Sequence, residues 1–268
     1  MNVMRGMTVF SLPTLPTSFV SPVKSYLLSA ALVALSLSVC AQDHPERRKR
    51  HYDMQARTYY RGPVRFSAGA GVGLYNGDLT KGLSNQLPGP SFSLGVLYPV
   101  HPHWTVGTEA TYFQIGSTDY LPERNLAFRG RNGTGTVFVR FEPLRDGAYY
   151  ATPRPAPTAL VKPYLKLGVG LALYSPKAYN GTTRPDDNTS FLRPERGDYP
   201  ALAIVAPVGL GVTLRLTPKL NATAEAAYYF TTTDQFDDIS TGLGRSSSAL
   251  NDGYGLVELK LEYSPWSR

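Results

Sequence analysis

The stretch "VRFSAGAGVGLYNGDL", residues 64–79, decides the fold. Its glycines fall at alternate positions, Gly69, Gly71 and Gly73. A phosphate-cradling loop instead needs irregular glycine spacing, a closing lysine or serine, and a helix behind it. Val64, Phe66, Ala68, Ala70, Val72 and Leu74 form an unbroken apolar row, and Arg65, Ser67, the glycines and Tyr75 fill the row between. That period of two describes a strand with one apolar face and one small or polar face.

The same parity recurs along the chain. Apolar faces are carried by "SFSLGVLYPV" (91–100), "WTVGTEATY" (104–112), "TVFVRFE" (136–142) and "YLKLGVGLALY" (164–174). Three more follow in "ALAIVAPVGLGVTLRL" (201–216), "KLNATAEAAYYF" (219–230) and "GLVELKLEY" (255–263). With the opening stretch they make eight strands. The opposite faces hold Arg65, Glu109, Arg140, Glu142, Lys166, Arg215, Lys219, Glu225, Glu258, Lys260 and Glu262, and within these segments no charge falls on an apolar face. A lipid-facing Arg or Lys at the bilayer midplane costs about 2–4 kcal/mol, which is what excludes charge so cleanly. Tyr75, Tyr98, Trp104, Tyr174, Tyr228, Tyr254, Tyr263 and Trp266 gather near strand ends, as an interfacial girdle requires.

These features predict an all-β fold, an eight-stranded antiparallel transmembrane β-barrel with long extracellular loops. The links "PVHPH" and "TPK" are short, whereas 76–90, 115–127, 176–199 and 231–252 are long and polar. The proline-rich link 143–162 breaks that alternation and reads either as an extended spacer or as a docking segment for a periplasmic partner. Eight strands enclose only enough room for side chains, so the alternate glycines relieve crowding inside. The mixed signs of the inner charges predict a paired, plugged lumen. A soluble calycin-like barrel is the competing architecture, because alternation alone does not say which face turns inward.

Residues 1–41 read as a signal peptide. "YLLSAALVALSLSV" (26–39) has the length of a secretory apolar core, and Val39 and Ala41 suit cleavage before Gln42. Lipidation of Cys40 is the alternative, which Val39 fits poorly. Residues 42–62 form a basic periplasmic segment around "ERRKR" (46–50), and 63–268 form the barrel domain. Without Arg5 and Lys24 of the leader, the 27 Lys and Arg of the chain fall to 25 against 20 Asp and Glu, a mild +5, and export disfavours nucleic acid as a partner.

Little in the chain suggests catalysis. The histidines are His44, His51, His101 and His103; "HPH" lacks a third ligand for a metal, and a lipid-cleaving serine–histidine pair has no histidine in the long loops. Asp234, Asp237 and Asp238, with Asp186 and Asp187 in the preceding loop, could bind calcium or simply form hydrated Asx turns. No catalytic, metal or cofactor residue is assigned.

Four stretches carry a resemblance: "YNGDL" (75–79), "RNLAFR" (124–129), "PYLKLGVGLALYSPKA" (163–178) and "TDQFDDIST" (233–241). Over residues 62 to 264 the chain resembles a Bacteroidetes-type family of outer-membrane β-barrels that includes the PorG-like barrel of the type IX secretion machinery. The resemblance implies a non-enzymatic barrel that anchors a periplasmic component of the apparatus. It also implies loop-shaping roles for Asp78, Arg124, Asn125, Asp234 and Asp238. A small-solute channel or ligand-binding barrel is the second expectation, and an outer-membrane lipid-modifying enzyme the third. Outer-membrane lipid surrounds the barrel in the first reading, and a periplasmic protein would dock through 42–62 and 143–162.

Overall fold

The computed structural model describes residues 49–77, 82–119, 125–144, 150, 159–194, 197–233, 236 and 252–266. The signal-peptide expectation, Cys40 and loop residues Asp78, Arg124, Asp234 and Asp238 lie outside them. A two-strand hairpin, β1 (His51–Tyr52) and β2 (Thr58–Tyr59), precedes the barrel. Its turn is set by Asp53, whose Oδ1 accepts from the backbone N–H of Gln55 and Arg57 while Oδ2 accepts from Arg57 Nε at 2.8 Å.

The wall comprises β3 (Arg65–Asn76), β4 (Gly89–His101), β5 (Trp104–Thr118), β6 (Leu126–Phe141) and β7 (Val161–Tyr174), then β9 (Ala201–Arg215), β10 (Leu220–Thr231) and β11 (Gly253–Tyr263). Each pairs antiparallel with its neighbours; β11 returns to β3, and β5 pairs with β6, so the eight strands close. Short β8 (Pro176–Asn180) continues β7 past Ser175 along the first residues of β6. Closure leaves no unpaired edge in the ring.

Exposure resolves the choice of architecture. Leu94, Leu167, Leu210 and Leu259 on the apolar rows are exposed, the last at 73%, whereas Glu109, Lys166 and Lys260 opposite them are 2% exposed or less. A calycin-like barrel would place these faces the other way round. The outer wall is therefore apolar, with Trp104, Phe141, Tyr263 and Trp266 near the end that bears the short turns.

Two predicted links are shorter in the structure. Pairing of β5 with β6 continues to Thr118↔Ala127, so 115–118 and 126–127 are strand, and β8 takes the start of 176–199. Gly116 and Gly133 interrupt the apolar rows near this extension, while the main-chain ladder continues regardless. Three tyrosines expected in the girdle, Tyr75, Tyr174 and Tyr254, are instead buried at 1% exposure or less inside the barrel. Their parity matches Arg65, Lys166 and Glu258 on the same strands, and parity overrides nearness to a strand end.

The glycine row answers a packing need. A Cβ on Gly71 would lie 2.0 Å from the carbonyl oxygen of Val257, and one on Gly69 would lie 2.7 Å from Lys260 Cγ. The inner face of β3 is thus kept bare so that side chains of β4 and β11 can cross over it.

Candidate functional site

The lumen is the candidate site, and it holds two layers. Nearer the short turns lies a charge network drawn from six strands. Glu225 of β10 sits directly opposite Glu258 of β11, and Arg140 of β6 directly opposite Lys166 of β7. Like charges in such pairs repel, and groups across the lumen relieve them. Glu225 accepts from Lys166 Nζ at 2.7 Å, Lys260 Nζ at 2.8 Å, Arg140 Nη2 at 3.2 Å and the Tyr164 hydroxyl at 2.6 Å. Glu109 of β5 accepts from Lys166 at 2.9 Å and from Lys260 at 2.5 Å.

Two satellites complete this layer. Arg140 Nη1 donates to Glu262 at 2.5 Å, and Arg65 lies 3.5 Å from the other oxygen of Glu262. Glu258 pairs with Lys260 at 3.1 Å and accepts from Ser93 Oγ at 3.0 Å. Nearer the rim, Lys162 donates to Glu142 at 3.2 Å. Aromatic faces screen the cations: the Tyr164 ring lies 4.4 Å from Arg140 Cζ, and the Phe138 ring 4.4 Å from Lys166 Nζ.

The second layer is aromatic and lies toward the long loops. Tyr229 stacks on Tyr254 at 4.7 Å and Phe113 on Tyr254 at 4.4 Å, while Tyr75 meets Phe128 edge-on at 4.7 Å. Phe236, from the link after β10, reaches in and stacks on Tyr174 at 4.6 Å. Asp252 fastens this insertion, accepting from the Phe236 backbone N–H at 3.0 Å and from the Tyr75 hydroxyl at 2.7 Å.

The expected lumen residues divide accordingly. Arg65, Glu109, Arg140, Glu142, Lys166, Glu225, Glu258, Lys260 and Glu262 are all buried inside. Arg215 is half-buried at the rim, and Lys219 is exposed in the β9–β10 turn rather than lumenal. Lys162 and Tyr164 joined the network unannounced; both share the parity of Lys166, a signal that was present in the sequence. Glu109, Glu225 and Glu258 bring carboxylate oxygens within 4.8 Å of one another, the spacing of a metal site. Lys166 and Lys260 stand among them, so the acids already hold their cations.

Other candidates resolve locally. His103 Nδ1 meets the carbonyl of Glu142 at 2.7 Å, and His101 Nδ1 accepts the backbone N–H of His103 at 3.2 Å. Asp186 accepts from Thr189 Oγ1 at 2.7 Å and from the Asn188 N–H at 3.1 Å, an Asx turn whose hydrogen bonds hold this exposed carboxyl below its ordinary pKa. Asn125 adopts a left-handed φ of 46° where β6 begins, and its carbonyl accepts from the Gly181 N–H.

Comparison of the sequence with protein-family models and with curated proteins gives no match. Among solved structures, a major outer membrane protein from Thermus thermophilus aligns at TM-score 0.42 and 15% identity, covering 75% of this chain and 99% of that one. Neisserial surface protein A aligns at 0.41 and 14%, covering 76% and 98%. Ail, the attachment invasion locus protein of Yersinia pestis, aligns at 0.40 and 15%, covering 75% and 97%. The closed eight-stranded barrel itself is established by this chain's own strand register.

Proposed function

We propose that the chain is an outer-membrane β-barrel that serves as a structural platform and does not conduct solute. The observation that carries this reading is Glu225, bonded at once to Lys166, Lys260, Arg140 and Tyr164 in the middle of the lumen. Opening a path would separate buried charges, each strongly penalised once unpaired. The apolar outer wall and closed hydrogen-bond ladder suit hydrocarbon, where every backbone group needs an internal partner. Long loops belong outside the cell and short turns in the periplasm, which puts both barrel termini on the periplasmic side.

The finer role we propose is that of an anchor for a periplasmic component, which the resemblance to PorG-like barrels suggests. The two segments expected to dock such a partner meet at the turn end. Tyr59 of β2 bridges to Tyr150 of the proline-rich link, and Arg57 lies 5.2 Å over the Tyr150 ring. His101 packs edge-on against Tyr59 at 4.9 Å, and the Gly62 N–H donates to the Pro99 carbonyl. The result is an aromatic and basic surface at one end of the barrel. The described histidines, His51, His101 and His103, all lie there, away from the long loops where a lipid substrate would meet a catalytic base.

Two measurements test the reading. In planar bilayers the purified protein is expected to be electrically silent; discrete, stable channels would overturn the platform. Cross-linking in the native outer membrane, read by mass spectrometry, is expected to recover a periplasmic partner attached within 42–62 or 143–162. Recovery of the barrel alone would remove the anchor role.

A further inference from the structure

Among the described strand residues, charge enters the outer wall at the loop end of β6 and β8. Arg129 and Arg131 share the outward parity of Val137, Val139 and Phe141, and Lys177 is registered directly opposite Arg129. Arg131 and Lys177 are exposed, and Arg129 is half-buried. Cross-strand partners stand about 5 Å apart, and like charges so placed are destabilising unless something answers them. Among the described residues no carboxylate pairs with any of the three. Arg129 Nη2 donates to Gln114 Oε1 at 2.7 Å, and Lys177 faces the Phe191 ring at 5.3 Å; both contacts fix a cation without neutralising it.

Beside this cluster lies a cavity of about 260 Å3 lined by Gln114, Ile115, Phe128, Arg129, Arg184 and Pro185. Arg184 is held over it by donating to the Pro88 carbonyl at 2.6 Å. Asp186 and Asp187 follow Arg184 in the chain, and the carboxylate of Asp186 is turned to Thr189 and Asn188. Toward the membrane the wall continues as Tyr112, Gly133, Leu173 and Val137. Four cations thus gather at the loop end of β6 and β8, next to an apolar surface.

We infer that Arg129, Arg131 and Lys177, with Arg184 at the cavity edge, dock the phosphorylated headgroup of a lipid in the surrounding leaflet. This rests on the outer-membrane reading. Guanidinium groups match phosphate oxygens bidentately, and acyl chains attached to that phosphate would lie along Leu173 and Val137. A lipid phosphate, unlike a free one, satisfies both halves of the surface.

The test uses the mature chain in nonionic detergent, titrated with dioctanoyl phosphatidic acid or with dioctanoylglycerol and read by native mass spectrometry. The phosphorylated lipid is expected to bind at least about tenfold more tightly, a preference that fades with added salt. The R129Q/R131Q/K177Q variant is expected to lose the preference while keeping the heat-dependent gel mobility of a folded barrel. K177Q alone, the milder change, should lose about threefold. R215Q/K219Q at the opposite end should bind like the parent. Equal binding of the two lipids, an undiminished preference in the triple variant, or complete displacement by equimolar inorganic phosphate would each overturn the site. Resistance of the native protein to carbonate extraction is scored separately, so loss of the lipid site is distinguishable from loss of the membrane reading.

Discussion

Replacing Glu225 with glutamine tests the lumen at its most connected point. The change keeps the side chain's volume and removes its charge. In the parent, one carboxylate answers Lys166, Lys260 and Arg140 together, all within 3.2 Å. The variant leaves those cations with Glu109, Glu258 and Glu262 alone, and the side-chain nitrogen of glutamine cannot accept from them. Removing one partner from a buried ionic cluster costs about 3–5 kcal/mol. Urea unfolding in lipid vesicles, followed by Trp104 and Trp266 fluorescence, should show that loss as a lowered midpoint at an unchanged slope. Charge removal at exposed Lys219 should stay within about 0.5 kcal/mol. A second substitution, Lys166→Met, should be less damaging in the Glu225→Gln background than alone, because the sites are coupled. A loss below about 1 kcal/mol for Glu225→Gln would refute the reasoning and imply a lumen wet enough to screen its charges.

Three further perturbations probe the wall and the plug. Gly71→Ala should destabilise the barrel by about 1–3 kcal/mol, since the new Cβ meets the Val257 carbonyl, whereas Gly135→Ala, with open space around it, should fold normally; comparable unfolding midpoints would disprove the crowding account. Leu259→Arg, at mid-height on the outer wall, should cost about 2–4 kcal/mol in vesicles, and a neutral effect there would contradict lipid contact. Phe236→Ala should lose about 3 kcal/mol through its stacking and burial and still leave planar bilayers silent, because the charge layer persists; conductance in that variant would mean that the aromatic layer alone closes the barrel.

Period-two alternation is enough to read eight strands and to sort their residues onto two faces, because each apolar residue on the wall repeats the same environmental choice; which face turns inward is decided by burial. Alternation fails where the residues carry no such contrast. Gly116, Ser117 and Thr118 pair with Arg129, Phe128 and Ala127 through backbone alone, and no side-chain pattern marks that extension. The charges on the outer wall escape the same test, since Arg129 and Arg131 lie between the predicted link 115–127 and the alternating segment 136–142. Parity also holds the correct answer for Tyr75, Tyr174 and Tyr254, which position along the strand obscured. Partner choice across the lumen was not legible: which lysine meets which glutamate depends on barrel curvature and on the bare glycines of β3, neither of which a linear pattern encodes.

The distribution of lumenal charge has a consequence for assembly. The β10–β11 hairpin presents Glu225, Glu258 and Glu262 against Lys260 alone, while β6–β7 presents Arg140, Lys162 and Lys166 against Glu142. Each hairpin by itself is therefore self-repelling and of opposite sign to the other. Either hairpin alone has no internal way to neutralise itself in a medium that resists charge, and only their joining through β9 supplies the missing counter-ions. Folding should accordingly be all-or-none in lipid, with pulse-proteolysis finding no protected hairpin ahead of the full barrel. The network that plugs the finished barrel thus also works as a proofreading step, withholding stability from either hairpin until the other has joined it.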